Sequence, residues 1–149
     1  NILLGHEHRS FGILRRQRMR REAGELLLKL GIDNNDQESL AGNLSGGQRQ
    51  AIAVARALRQ GGRLFIFDEP TAAMGYQETQ VVQRLIKGLS EKGYAVIMIS
   101  HNIQQVYDLA DRICVMRQGR VVATVEQQHC RPDDIVAMIV SGRAAGGVA

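Results

Sequence analysis

From Arg15 to Leu30 the apolar residues Met19, Ala23, Leu26, Leu27 and Leu30 recur at helical spacing, and Gly31 supplies a stop. The spacing predicts an amphipathic helix whose other face is rich in arginine. A polar stretch from Asp33 to Asn43 leads into Leu44-Ser45-Gly46-Gly47-Gln48. Ala51, Val54, Ala55 and Leu58 then mark one face of a second helix, so the glycine pair sits at a helix N-terminus. Gly61 and Gly62 break that helix, and Leu64 to Phe67 is a short, wholly apolar run ending in Asp68 and Glu69. Such a run predicts a strand buried on both faces. Val81, Val82, Leu85, Ile86 and Leu89 mark a third helix, and a second apolar strand, Ala95 to Ile99, ends in Ser100 and His101. Strand, helix and strand together predict a right-handed βαβ unit. Further on come a helix on Ile103, Val106, Tyr107 and Ala110, then a hairpin of Ile113 to Met116 and Val121 to Val125 turning at Gln118-Gly119. A helix opened by Pro132 follows. The tail from Gly142 to Ala149 is expected to be disordered.

Composition narrows the class without choosing a function. A chain of 149 residues, 44% hydrophobic, is long enough to bury a core of its own. It contains no apolar run of membrane-spanning length and no signal-peptide pattern at its start, so a cytosolic location is expected. Cys114 and Cys130 lack any paired spacing, which argues against a disulfide framework or a zinc site. Of 19 basic residues only Lys29, Lys87 and Lys92 are lysine, and the net charge is +4. That balance suits phosphates, lipid head groups or plain solubility. The chain begins at Asn1 rather than a methionine, which leads us to expect a missing upstream portion.

In open α/β sheets ligands bind beyond the carboxyl ends of the strands, where Asp68, Glu69 and His101 fall. An aspartate ending an apolar strand can hold Mg²⁺, and an adjoining glutamate can orient and deprotonate an attacking water. Neighbouring residues at a strand end point different ways, so the two carboxylates can serve separate roles. On these residues alone, Asp68 could equally cap the turn at Pro70, with Glu69 a solvated charge. The Ser45-Gly46-Gly47-Gln48 segment brings backbone N–H groups and a helix dipole to where an anion could sit. Its plainer reading is a serine cap on a surface helix. His101 could donate to a γ-phosphate oxygen or hold the water, or be a satisfied histidine at a strand end.

Taken together, Leu44-Ser45-Gly46-Gly47-Gln48, Phe65-Ile66-Phe67-Asp68-Glu69-Pro70-Thr71 and Ile99-Ser100-His101, in this order and spacing, closely resemble the ATP-binding-cassette (ABC) ATPases. The resemblance implies an α/β, P-loop NTPase-like domain, a parallel sheet with helices plus part of a helical subdomain, incomplete at the N-terminus. It implies that residues 1–60 belong to the helical subdomain, 61–141 to the ATPase core and 142–149 to a tail. It makes Ser45, Gly46, Gly47 and Gln48 the signature loop that contacts ATP held by an opposite subunit. Asp68 becomes the Mg²⁺ residue, acting through water, Glu69 the general base, His101 the switch histidine, and Ala72, Ala73, Met74 and Gly75 the loop at the dimer interface. Asn1-Ile2-Leu3-Leu4-Gly5, Met19-Arg20-Arg21-Glu22-Ala23, Thr71-Ala72-Ala73-Met74-Gly75 and Ser100-His101-Asn102 look like the ATPases of monosaccharide importers of the ribose and fructose type. That subgroup implies ATP and Mg²⁺ as cofactors and a second ATPase subunit as partner. It also implies transmembrane permease subunits, a sugar-binding protein acting indirectly, and a position on the inner face of the cell membrane.

Two departures qualify this. The pattern G-x-x-x-x-G-K-[ST] does not occur, since none of Lys29, Lys87 and Lys92 follows the required glycines. Gly75 stands where most of the family has an aspartate. The arginines Arg9, Arg15, Arg16, Arg18, Arg20 and Arg21 have no interleaved aromatic residue to stack bases, so a solvated helix face is favoured over nucleic-acid binding. By the resemblance, that face could also meet a transmembrane partner. His6, His8 and His129 lack ligand-like spacing and are expected at the surface. The rival readings are a ribosome- or DNA-associated ABC protein and a non-catalytic assembly partner lending its signature loop.

Overall fold

The computed structural model describes residues 2–10, 12–31 and 41–144. The expected polar connector before Asn43 falls largely on residues 32–40, outside the described residues, as does the tail from 145 onward. The chain forms two compact units, Asn1–Ile99 and Ser100–Ala149, each described here by itself.

The first unit opens with a small hairpin, β1 (Arg9–Ser10) and β2 (Ile13–Leu14), paired antiparallel. Two-residue strands leave too little alternation for the sequence to announce them. Helix α1 (Arg16–Lys29) follows and ends at Gly31, whose φ of +71° is the left-handed stop that its position suggests. Arg16, Arg18, Arg20 and Arg21 are exposed along it, as the periodicity requires. Helix α2 (Gly46–Arg59) packs against α1, and α3 (Tyr76–Glu91) packs against α2. Strand β3 (Leu64–Asp68) pairs in parallel with β4 (Ala95–Ile99), the register running from Leu64 opposite Ala95 to Asp68 opposite Ile99. Helix α3 is the crossover between them, so the βαβ expectation holds in element order and strand direction.

The core of this unit joins Ala51, Val54 and Ala55 of α2, Phe65 and Phe67 of β3, and Val82, Leu85, Ile86 and Leu89 of α3. Phe65 meets Tyr94 edge to face, centroids 5.5 Å apart. One expectation fails. Strand β3 is buried on one face only, since Ile66 is 64% exposed and Leu64, Ile97 and Ile99 are exposed with it. A two-stranded unit with its helices covers the Phe65 and Phe67 side. The described residues place nothing over the other, so an apolar run does not here mean burial on both faces.

In the second unit, α4 (Ile103–Leu109) precedes a hairpin of β5 (Arg112–Arg117) and β6 (Arg120–Glu126). Gln118 and Gly119 both have positive φ, +49° and +74°, the pair of left-handed residues a two-residue hairpin turn requires. Helix α5 (Pro132–Ser141) begins with proline at its first position and stops at the left-handed Gly142. Ile113, Val115, Val125, Cys130, Ile135 and Met138 form the core, with Ile103, Val106, Tyr107 and Ala110 packed on it. Burial, seconded by the Asp134 carboxylate, pushes the Cys130 thiol above its ordinary value and keeps it a packing residue. Among the described residues no helix is long and apolar enough to cross a membrane.

Candidate functional site

At the start of α2, Ser45 is extended (φ −64°, ψ 162°) and caps the helix. Its Oγ accepts from the Gln48 N–H at 3.3 Å, while the Gln48 Oε1 accepts from the Ser45 N–H at 2.9 Å. This reciprocal pair is a capping box, and it fixes the loop from within. The Leu44 carbonyl accepts from the Arg49 guanidinium at 2.6 Å. The glycines allow close packing. A Cβ on Gly46 would lie 2.9 Å from Met74 Cε, and one on Gly47 would lie 3.2 Å from Val81 Cγ1 and 3.3 Å from the Glu78 carbonyl. The loop thus sits directly on the start of α3.

At the end of β3, Asp68 is exposed and Glu69 half-buried. Glu69 has φ +45°, a left-handed conformation costing on the order of 1–3 kcal/mol outside glycine. Its N–H still donates to the Ile99 carbonyl at 2.9 Å, so the chain leaves the sheet at this residue and no earlier. Two turns follow: the Glu69 carbonyl accepts from the Ala72 N–H at 3.1 Å, and the Thr71 carbonyl from the Met74 N–H at 3.3 Å. Ala73, with φ +58°, is the second strained residue. This doubled turn carries Ala72, Ala73, Met74 and Gly75 from the carboxylates to the start of α3.

Among the described residues no group of three or more His, Cys, Asp and Glu side chains could hold a metal. One exposed carboxylate at a strand end is nonetheless the donor set that suits Mg²⁺, which keeps waters and phosphate oxygens and asks little of the protein. Asp68 fits that requirement.

His101 lies in the second unit and is exposed. The turn around it is fixed, since the Asn102 N–H donates to Ser100 Oγ at 3.1 Å and Asn102 Oδ1 accepts from the Gln105 N–H at 3.2 Å, capping α4.

Two features escaped the sequence reading. Glu78 accepts from the Gly46 N–H through Oε1 at 3.0 Å and from the Gly75 N–H through Oε2 at 3.2 Å. The glutamate three residues after a helix cap was a legible signal for the second bond but not the first. Glu22 of α1 bonds the His8 ring through one oxygen and the Arg59 guanidinium through the other, the latter at 2.7 Å. His8 is therefore partly buried in an ionic cluster rather than a plain surface residue. The His8 hydrogen bond, helped by Arg59, holds the Glu22 carboxyl below the ordinary range. Partners 14 and 37 residues apart leave no spacing to read.

The description "ABC transporter" names the family whose model matches residues 4–72. A xylose import ATP-binding protein of Photobacterium profundum is 39% identical over 94% of this chain and 27% of its own length. A ribose import ATP-binding protein of Geobacillus kaustophilus is 38% identical over 98% of this chain and 30% of its own. The chain thus spans less than a third of the length of these curated relatives. Among solved structures, a dimeric ATP-binding cassette in a post-hydrolysis state, bound to ADP and Pi, is 26% identical with a TM-score of 0.59. That match covers 79% of this chain and 51% of the other. Residues 4–72 match the ABC transporter family model, and the chain has the α/β fold of an ABC ATPase and is similar to sugar-import ATP-binding proteins.

Proposed function

We propose that this chain is part of the ATP-hydrolysing subunit of a monosaccharide importer. What carries the reading is the glycine loop at the start of α2 docked on the start of α3, in a sequence matched to sugar-import ATP-binding proteins. In this reading two copies of the complete subunit enclose two ATP molecules, and each Ser45–Gln48 loop meets the phosphates held by the other copy. The loop can do this because α2 brings its positive end to it. Asp68 takes the Mg²⁺ that neutralises phosphate charge. Glu69, projecting on its strained turn, orients and deprotonates water, and His101 contacts the γ-phosphate or that water. Ala72 to Gly75 line the junction between copies. Closure on ATP and reopening after hydrolysis move transmembrane permease subunits from the cytoplasmic face, while the sugar and its binding protein never touch these residues. The phosphate-gripping motif is not in this sequence, so residues 1–149 alone are inactive.

Ser45→Arg in the full-length protein tests this reading. It should abolish ATP-driven dimerisation while each monomer still binds ATP, as read by light scattering and calorimetry. Dimerisation and turnover at wild-type levels would refute the trans role of the loop.

A further inference from the structure

The Gly46 amide is the first N–H of α2, and Gly75 is the cap of α3; the rest of α2 and the whole of β3 lie between them in sequence. One carboxylate accepts from both, at 3.0 and 3.2 Å. The two bonds use different oxygens, so neither competes with the other. Packing runs in parallel with them, because Met74 closes on Gly46 and Val81 on Gly47 at distances that a Cβ on either glycine would crowd. Bonds from backbone amides to a carboxylate are stronger than those to a neutral acceptor.

We propose that Glu78 is a positioning residue that locks the Ser45–Gln48 loop to the Ala72–Gly75 segment, so that the two loops move as one body. The proposal rests on the reading that Ser45–Gln48 meets nucleotide, and it adds how that event reaches Ala72–Gly75. A phosphate that draws the Ser45–Gln48 loop toward itself pulls on Glu78 Oε1 through the Gly46 N–H, and through Oε2 on the Gly75 amide. No other side chain is needed for the transfer.

Glutamine cannot replace this carboxylate. It offers one acceptor oxygen, and its NH₂ group would face the second amide donor to donor. Aspartate keeps the charge but is one methylene too short to span both amides. In the full-length protein labelled with [¹⁵N]glycine, Glu78→Gln should move the Gly46 and Gly75 amide resonances together, upfield. Turnover should fall about tenfold, the cost of one charge-assisted hydrogen bond read as a rate, with monomer ATP affinity unchanged. Glu78→Asp should keep one of the two resonances in place and recover part of the turnover. If only one glycine resonance moves in Glu78→Gln, or both move and turnover is unchanged, the lock is overturned. Ser45→Arg separates this from the nucleotide reading: wild-type turnover there sinks the reading, while the paired glycine shifts still report the lock.

Discussion

Helices α2 and α3 begin from the same backbone conformation and solve their first turn differently. Ser45 sits at φ −64°, ψ 162° and Gly75 at φ −69°, ψ 168°. Each is followed three residues later by a side chain that reaches back to the cap N–H, Gln48 in one case and Glu78 in the other. Ser45 returns the bond through its hydroxyl, whereas Gly75 has no side chain to return. The α2 start thus carries a complete capping box of its own, and its far end is anchored by the Arg59 bond to Glu22. The α3 start is open, entered through two left-handed residues, and its carboxylate is shared with the neighbouring loop. In the proposed function, the start with its own capping box suits a loop that keeps one shape for a ligand. In the same proposal, the strained, shared start suits a segment that presents a base and passes on movement.

The largest way to break this contrast is Glu69→Gln in the full-length protein. If the segment before α3 is the chemical half, hydrolysis should slow about a hundred- to ten-thousandfold, the range for a lost general base, with ATP binding kept. Steady-state phosphate release near wild type would strip the strained turn of its assigned role and leave Glu69 a turn residue.

How much of this was legible depended on range. The α2 box could be read because Ser45 and Gln48 are neighbours whose chemistry is local, and the Gln118-Gly119 turn for the same reason. The periodic faces of α2 and α3 were equally plain, because one helix repeat writes its burial into the sequence. Burial of β3 was misjudged at Ile66 because an apolar run reports what a strand could bury, while what lies over it is decided by the rest of the fold. The backbone strain at Glu69 and Ala73 had no signal at all, since neither residue type prefers positive φ. Glu78 was half legible, as a cap for its own helix. Its bond to Gly46 and the His8–Glu22–Arg59 cluster join segments too far apart in sequence for any spacing rule.

That cluster sharpens the contrast next. Glu22→Ala leaves the Arg59 guanidinium without its carboxylate in a site where only 18% of it is exposed, and should cost about 1–2 kcal/mol of stability. The sign with pH follows from the lowered carboxyl. A glutamate whose folded value lies below its unfolded value of 4.5 adds stability that is whole above 4.5 and is lost as pH falls through the folded value. Wild type should therefore lose more stability than Glu22→Ala as pH drops below 4.5, the two unfolding curves converging in acid. Parallel curves would show that α2 is not anchored through Glu22.

The smallest effect is the most direct comparison of the two helix starts. Gly75→Ser gives α3 the side chain that α2 already has. The backbone needs no change, being already within a few degrees of Ser45, and a Cβ at Gly75 would meet nothing within 4 Å. The new hydroxyl can accept from the Glu78 N–H while the Glu78 carboxylate keeps its bond from the residue 75 N–H, which completes a capping box. Against glycine a serine cap is worth only a few tenths, and removing a glycine from the unfolded chain adds a similar amount, together about 0.5–1 kcal/mol. Gly75→Ala supplies the second contribution without the first and should stabilise less. Gly75→Asp supplies both but sets a carboxylate beside Glu78, and should fall below serine by an amount that shrinks with added salt. Denaturant unfolding of the three variants ranks them, and serine no better than alanine would mean that the α3 start is already satisfied and that its resemblance to α2 is one of backbone alone.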